Sequence, residues 1–258
     1  MDKIILEIRN AIKIAKIKEK QGKIDDANKI YKNLIDKKIY SSDLLIAYGS
    51  FNMAIKRFVL AKQLFSFCVK KYPLIPKSYI LLAEILLYEN NFKEGLAVLS
   101  AGNETIKNDS EFKYNLSLTY KKYRFFNEAL SSIREALEIS PDKILYKILK
   151  ADILVECFDL IGARKILKNL DIEEKNHLYF HKEILFSGIL IKQKHFKKAE
   201  KILLNLKSLF INQQIIYLNL SNLYFHTKEL NKGIEVLKEG IKKFPEFVPF
   251  KFNLAVMY

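Results

Sequence analysis

His177 and His181 are the residues in this chain whose spacing best matches a metal site, since histidines four residues apart share one face of a helix. The glutamate that follows the first histidine in the H-E-x-x-H zinc motif is absent here. Neither a cysteine nor a third histidine lies nearby in sequence. We therefore expect both histidines to occupy ordinary surface or turn positions.

Motifs for phosphate binding and for nucleophilic catalysis are also missing. No two glycines are closer than seven residues, which excludes a glycine-rich phosphate loop and a G-x-S-x-G elbow. The acidic pairs Asp25-Asp26 and Glu173-Glu174 fall at expected turns and helix starts, where negative charge suits the helix dipole. The sequence therefore predicts no catalytic residues, no metal and no cofactor, so the protein is not expected to be an enzyme.

The composition of the chain favours helices. Half of the 258 residues are hydrophobic, which is enough to bury a continuous core, and only 8 glycines and 5 prolines are available to build hairpins or linkers. Runs of leucine, isoleucine, lysine and glutamate have high helix propensity. We expect an all-α chain that forms one or two globular domains or one elongated array.

The formal net charge of +15 raises the question of a polyanionic partner. Only five residues are arginine, whereas specific recognition of phosphates and bases depends on the guanidinium group. We expect the lysines to form a solvated surface, and nucleic acid is not the expected partner.

Cysteines and apolar runs bear on the location of the protein. Cys68 and Cys157 both fall in apolar helical stretches, so we expect reduced core residues in a cytoplasmic protein. The first twenty residues mix charges into their apolar positions and lack the apolar core of a signal peptide. No run of about 18 apolar residues occurs, so no transmembrane helix is expected.

Small residues recur along the chain at a period of 34, with one step of 36 in each of two series. A close approach of two helices explains such a pattern, because a larger side chain would hold the axes apart. The first series, in the first helix of each unit, is Ala15, Gly49, Ala83, Ser117, Ala151, Ser187, Ser221 and Ala255. The second series, early in the second helix, is Ala27, Ala61, Gly95, Ala129, Ala163, Ala199 and Gly233.

Large apolar residues stand one helical turn after the second series, where they would fill the space between successive helical hairpins. They are Tyr31, Phe65, Leu99, Ile133, Leu167, Leu203 and Leu237. Pro73, Pro141 and Pro245 share one further position, at the expected end of the second helix. One such hairpin cannot bury both its faces and needs neighbours like itself.

In period, small residues and closing proline the chain resembles the tetratricopeptide repeat family over essentially its whole length. The best match is residues 110–143, whose signature positions carry Leu116, Ser117, Tyr120, Ala129, Ala136 and Pro141. The signature tryptophan of the first helix is missing throughout. The resemblance implies a right-handed superhelical α-solenoid of helix-turn-helix repeats.

In this register the whole chain, residues 1–258, is expected to form a single array. Its repeats would span approximately 8–41, 42–75, 76–109, 110–143, 144–177, 180–213 and 214–247, with a partial repeat at 248–258. The two extra residues near 177–179 are expected to lengthen a turn.

The last helix, with Phe250, Phe252, Val256 and Met257, is apolar nearly all round, whereas a terminal repeat normally turns a polar face outward. We therefore expect it to continue into a longer protein or to contact a partner.

The resemblance places a ligand groove along the first helices of the repeats. Two positions before the first small series, Asn115, Asn219 and Asn253 resemble the asparagine ladder with which some superhelical arrays of this family hold a peptide backbone. An amide suits that task because it both donates and accepts. The ladder is interrupted, since the other repeats have Lys13, Ala47, Leu81, Leu149 and Leu185 at this position.

Neighbouring positions complete the expected partner-binding set. They are Asn222, Phe225, His226 and Phe252 toward the end of the chain, and Lys121, Lys122 and Lys192 before them. The two phenylalanines are equally compatible with packing between repeats, and the asparagines with capping of local backbone groups. A carboxylate clamp over the third to fifth repeats is excluded, because Tyr114 and Leu149 stand where that mode requires charges.

The leading hypothesis is a non-catalytic interaction scaffold that binds a protein or peptide in its concave groove, mainly through Asn219, Asn222 and Asn253. The first alternative is the substrate-presenting arm of a larger glycosyl-, sulfo- or methyltransferase with a catalytic domain downstream in the same chain. The second is a weak binder of RNA or another polyanion through the lysine-rich surface.

Overall fold

The chain folds into helices throughout, as its propensities predict. The computed structural model describes residues 2–174 and 176–258, and side chains from Leu6 onward within those ranges. No strand occurs among the described residues. The helices are α1 Asp2–Lys20, α2 Ile24–Asp36, α3 Ser42–Ala54, α4 Phe58–Lys71, α5 Pro76–Tyr88, α6 Phe92–Thr105, α7 Ser110–Lys122, α8 Phe126–Ile139, α9 Ile144–Glu156, α10 Leu160–Lys168, α11 His177–Lys192, α12 Phe196–Leu209, α13 Gln214–His226, α14 Leu230–Lys243 and α15 Val248–Met257.

Each odd-numbered helix up to α13 packs most extensively against the helix that follows it, so the chain is a succession of helical hairpins. The odd-numbered helices α3, α5, α7 and α9 begin at Ser42, Pro76, Ser110 and Ile144, at the expected 34-residue spacing. N-cap residues determine two of these helix starts, because the side chains of Ser41 and Asp109 accept hydrogen bonds from backbone N–H groups of α3 and α7. The all-α prediction is confirmed.

By packing, the chain divides into two compact units. Unit 1 is Met1–Ile139 and contains α1 to α8; unit 2 is Ser140–Tyr258 and contains α9 to α15. The repeat boundaries and the single array derived from the sequence stay a prediction.

The two small-residue series lie at helix contacts, as expected. Every member of the second series and every member of the first series except Ala255 is buried. Ala255 is exposed because no described helix packs on that side of α15. The large residues one turn after the second series are fully buried without exception. The periodic positions therefore form the cores of both units.

One turn residue per hairpin has a positive φ, a feature that the sequence did not reveal. Between the two helices of each hairpin, a single residue adopts the left-handed conformation with φ between 60° and 73°. A single left-handed residue ends the first helix and redirects the chain. These residues are Gly22, Lys56, Asn90, Arg124, Phe158, Lys194 and Lys228.

The expected lengthening near residues 177–179 is found just before them: α10 ends at Lys168 and α11 begins at His177, whereas α8 ends at Ile139 and α9 begins at Ile144. Residues 177–179 themselves form the first turn of α11, which has 16 residues where most other first helices have 13.

Two local expectations were wrong. Phe250 and Met257 do not add to an exposed apolar surface, because both are buried against α14. Cys68 is buried as expected, but Cys157 follows the end of α9 and is partly exposed.

Candidate functional site

The site nearest the C-terminus is a groove between α13 and α15, two first helices held in place by the intervening α14. Tyr217 of α13 and Phe250 of α15 have ring centroids 6.1 Å apart, and both rings are buried. A Cβ on Gly240 of α14 would lie 3.0 Å from the ring of Phe250, so that glycine lets α15 approach closely. This core fixes which faces of α13 and α15 border the groove.

The groove has a volume of about 470 Å³ and no ionisable side chain in its lining. Its surface combines apolar side chains with amides, a lining that suits uncharged ligand groups. The lining residues are Ile215, Leu218, Asn219, Ser221, Asn222, Phe225, Pro249, Phe252, Asn253, Val256 and Met257.

Three asparagines from the predicted set meet in this groove. Asn219 and Asn222 are one turn apart on α13, and Asn253 is on α15. No hydrogen bond joins any of the three side-chain amides to another residue in the described parts of the chain, so they do not cap local backbone groups. Each amide can therefore donate to a ligand carbonyl and accept from a ligand N–H.

Phe225 and Phe252 lie in the same groove, and their exposure separates them from the core. Phe225 is 45% exposed and Phe252 is 69% exposed, whereas Phe250 on the buried face of α15 is 0% exposed. Packing between repeats does not account for the two exposed rings. His226, adjacent to Phe225, is not part of the groove lining; its ring stacks on Phe196 at 6.5 Å between centroids.

Asn115 lies in a different groove, in unit 1. That groove, between α5 and α7, has a volume of about 490 Å³ and is lined by Asn115 together with Lys77, Asp109 and Glu111. Its charged lining differs from the uncharged groove between α13 and α15. The structure therefore gives Asn115 surroundings unlike those of Asn219 and Asn253.

The three lysines of the predicted set do not line the groove between α13 and α15. Lys122 forms an ion pair with Glu84, with 2.9 Å between Nζ and Oε1, and this hydrogen bond raises the pKa of the lysine. Lys121 precedes it on α7, and Lys192 is exposed at the end of α11 in unit 2.

The described residues contain no group of three or more histidine, cysteine, aspartate or glutamate side chains placed to hold a metal ion. The rings of His177 and His181 contact each other edge to face, 6.2 Å apart between centroids. Among the helices described, none combines the length and the apolar character that crossing a membrane requires.

Solved structures with a similar fold cover most of the chain. A tetratricopeptide repeat protein from Parabacteroides merdae has a TM-score of 0.70 at 10% identity, with 96% of this chain and 98% of that chain covered. The APC/C hetero-tetramer Cut9-Hcn1 has a TM-score of 0.61 at 14% identity. PilF of Pseudomonas aeruginosa has a TM-score of 0.56 at 14% identity, covering 81% of this chain and 94% of that chain.

The coverage differs among these neighbours. In the Cut9-Hcn1 structure, 94% of this chain aligns with 48% of the matched chain, so the protein spans about half of that chain's length. No family profile and no curated protein matches the chain by sequence. At sequence identities of 10–14%, the similarity to these structures establishes a common fold and nothing more.

Proposed function

We propose that this chain, which has the tetratricopeptide-repeat fold, is a non-catalytic protein-interaction scaffold that binds an extended peptide segment between α13 and α15. The observation that carries the proposal is the set of three amides, from Asn219, Asn222 and Asn253, that line one uncharged groove and have no partner among the described residues. These amides are open to water, so a ligand that takes over their hydrogen bonds stabilises the complex by a net of about 1 kcal/mol for each bond.

The peptide backbone is the ligand chemistry that matches these amides, because it offers alternating donors and acceptors without requiring a particular sequence. Asn219 and Asn253 occupy the same repeat position on consecutive first helices, so they would contact successive points along an extended chain. The exposed rings of Phe225 and Phe252 would cover apolar side chains of that segment. The expected ligand is therefore an uncharged segment with at least one large apolar residue.

The test uses a peptide selected from a displayed random library on the purified protein, with its affinity measured by isothermal titration calorimetry. Changing Asn219, Asn222 and Asn253 together to alanine is expected to weaken binding at least about tenfold, since three hydrogen bonds with a net value of about 0.5–1.5 kcal/mol each are lost. The matched control replaces three asparagines that do not line the groove, Asn127, Asn212 and Asn231.

Circular dichroism would establish that both triple variants keep their helix content. Equal affinity of the groove variant and the control would reject the assignment. Because no ionisable residue lines the groove, the affinity should change little between low and high salt. A strong salt dependence would instead indicate recognition by the lysine-rich surface.

A further inference from the structure

The turn between α9 and α10 in unit 2 exposes two large apolar side chains. Phe158 is 86% exposed, more than any other large apolar residue that the structure describes, and Ile161 is 79% exposed. Between them, the side chain of Asp159 accepts a hydrogen bond of 2.8 Å from the N–H of Gly162 and begins α10. The capped start of the helix therefore holds both apolar side chains in water.

Folding does not account for a phenylalanine at this turn. Phe158 has a φ of 63°, which bulky residues rarely adopt because the Cβ comes too close to the following carbonyl oxygen. At the equivalent turns of the other hairpins, the left-handed residue is glycine, asparagine, lysine or arginine. Strained backbone of this kind concentrates where a residue has a role beyond packing. The exposed ring of Phe158 is therefore a candidate contact.

Cationic side chains lie beside the apolar pair. Lys165 and Lys168 follow Ile161 at i+4 and i+7, so the three residues share one exposed face of α10, whereas Ala163 and Leu167 are buried on the opposite face. Neither lysine forms an ion pair or a hydrogen bond with any other residue in the described parts of the chain. The outer face of α10 is therefore apolar at its start and positively charged along its length.

The next hairpin extends this positive surface. Arg164 Nη1 donates to Gln193 Oε1 at 3.2 Å, which holds α10 beside the turn between α11 and α12. The exposed lysines of that turn are Lys192, Lys194, Lys197 and Lys198. In residues 156–168 and 192–198 taken together, seven side chains are cationic and two are acidic. The apolar pair therefore borders a surface that attracts anionic groups.

A lipid bilayer with anionic headgroups matches both features. Its diffuse negative charge suits lysines, which need no bidentate partner, and the boundary of its acyl chains accepts apolar side chains that project from a protein surface. RNA matches the charge and can stack a base on Phe158, but it offers no apolar environment to the aliphatic side chain of Ile161. The combination favours the bilayer.

We propose that unit 2 binds the surface of an anionic lipid bilayer through the face formed by Phe158, Ile161 and the lysines of α10 and of the turn between α11 and α12. The two apolar side chains enter the boundary between headgroups and acyl chains, and the lysines contact the lipid phosphates. None of these residues lines the groove between α13 and α15, so the proposal does not depend on the function proposed for that groove.

The first experiment measures sedimentation of the full chain with vesicles of phosphatidylcholine, either alone or with about one third phosphatidylglycerol. Binding is expected only to the vesicles that contain phosphatidylglycerol, and it should weaken as the salt concentration rises. Lys165→Glu together with Lys168→Glu is expected to weaken this binding at least about tenfold.

The first hairpin supplies a matched control. Lys29 and Lys32 are exposed on α2 at the same repeat positions as the two lysines of α10, but Gly22 and Asp25 stand where α10 has its apolar pair. Lys29→Glu together with Lys32→Glu makes the same change in net charge and should leave most of the binding intact. Circular dichroism verifies that each variant keeps its helix content.

The apolar pair is tested by Phe158→Gly together with Ile161→Ser. This variant should bind the anionic vesicles at least about tenfold more weakly, because nothing then enters the bilayer. Glycine also removes the backbone strain at position 158, so the free energy of unfolding, measured by urea titration, should not fall. Weaker binding without a loss of stability separates a lost contact from unfolding.

Fluorescence locates the contact directly. The chain contains no tryptophan, so Phe158→Trp introduces a single indole. Its emission should shift to shorter wavelength when the anionic vesicles are added, because the ring leaves water. Leu74→Trp, at a 73% exposed position in unit 1, should show no shift.

Several outcomes would overturn the proposal. Equal loss of binding in the two lysine variants would assign the attraction to net charge alone. Unchanged binding of the Phe158→Gly, Ile161→Ser variant, or equal emission shifts at positions 158 and 74, would show that the apolar pair does not enter the bilayer. Absence of sedimentation with the anionic vesicles, or displacement of the protein from them by an RNA oligomer, would reject the bilayer as the ligand.

Discussion

A Cβ atom added to Gly49 would lie 2.4 Å from the ring of Phe65, which is closer than two carbon atoms can approach. Gly49 belongs to the first series of small residues, on α3, and Phe65 is the large residue that fills the core from α4. In this hairpin the position therefore accommodates only glycine, whereas the equivalent position of the other repeats holds alanine or serine. Because Phe65 is 0% exposed, its ring has no solvent-filled space into which it can move.

Gly49→Ala is therefore expected to destabilise the protein. Overpacking of a tight core costs about 1–3 kcal/mol, and the higher helix propensity of alanine offsets up to about 1 kcal/mol of this. The free energy of unfolding, measured by urea titration and circular dichroism, should fall. The matched control is Gly188→Ala in α11, where an added Cβ meets nothing within 4 Å; this change should stabilise by about 0.5–1 kcal/mol.

Phe158→Gly is expected to stabilise unit 2. Phe158 has a φ of 63° and is 86% exposed, so it bears the steric penalty of the left-handed conformation and its ring packs on little. The left-handed conformation costs an L-residue about 1–2 kcal/mol, and the added freedom of glycine in the unfolded chain cancels part of the gain. We expect a net increase of about 0.5–1 kcal/mol in the free energy of unfolding.

The opposite substitution, from glycine to a residue with a Cβ, can be made at the equivalent turn of the first hairpin. Gly22 has a φ of 73° and an added Cβ would meet nothing within 4 Å, so Gly22→Ala tests the backbone conformation alone. It should lower the free energy of unfolding. If Phe158→Gly and Gly22→Ala shifted stability in the same direction, backbone strain at these turns would not be the cause.

The pair Tyr31 and Glu19 makes the stability of unit 1 sensitive to alkaline pH. The hydroxyl of Tyr31 donates to Glu19 Oε1 at 2.7 Å. Burial, followed by this hydrogen bond to a carboxylate, raises the pKa of Tyr31 above its ordinary value of 10.0. In alkaline solution the unfolded chain therefore releases a proton that the folded chain retains.

Tyr31 contributes fully to the free energy of unfolding below pH 10. As the pH rises further, this contribution falls by about 1.4 kcal/mol per pH unit. Urea unfolding at a series of pH values between about 8 and 11 measures the slope. Tyr31→Phe should lower stability at neutral pH by about 1 kcal/mol, through the lost hydrogen bond, and reduce the alkaline slope. Tyr258→Phe, which removes an 80% exposed phenol, should leave both unchanged; an equal alkaline slope in wild type and Tyr31→Phe would refute this explanation.

Much of the fold was predictable because its signals are local and periodic. Small residues at a spacing of 34 predicted where helices approach each other, and the large residues four positions later predicted the core. Such positions depend on the helical turn and on contacts between neighbours in the chain. The left-handed turn residues were missed because only Gly22, which lacks a Cβ, and Asn90 are of residue types that commonly adopt a positive φ.

For the candidate sites, the sequence determined which repeat position each residue occupies, and it selected Asn219, Asn222 and Asn253 as candidates. Only the tertiary structure decided that these amides share one uncharged groove and that His226 is outside it. It also decided that Phe250 is buried while Phe252 is exposed on the same helix. The physical reason is that a repeat position fixes the helix face, whereas the side chains of neighbouring helices determine what that face contacts.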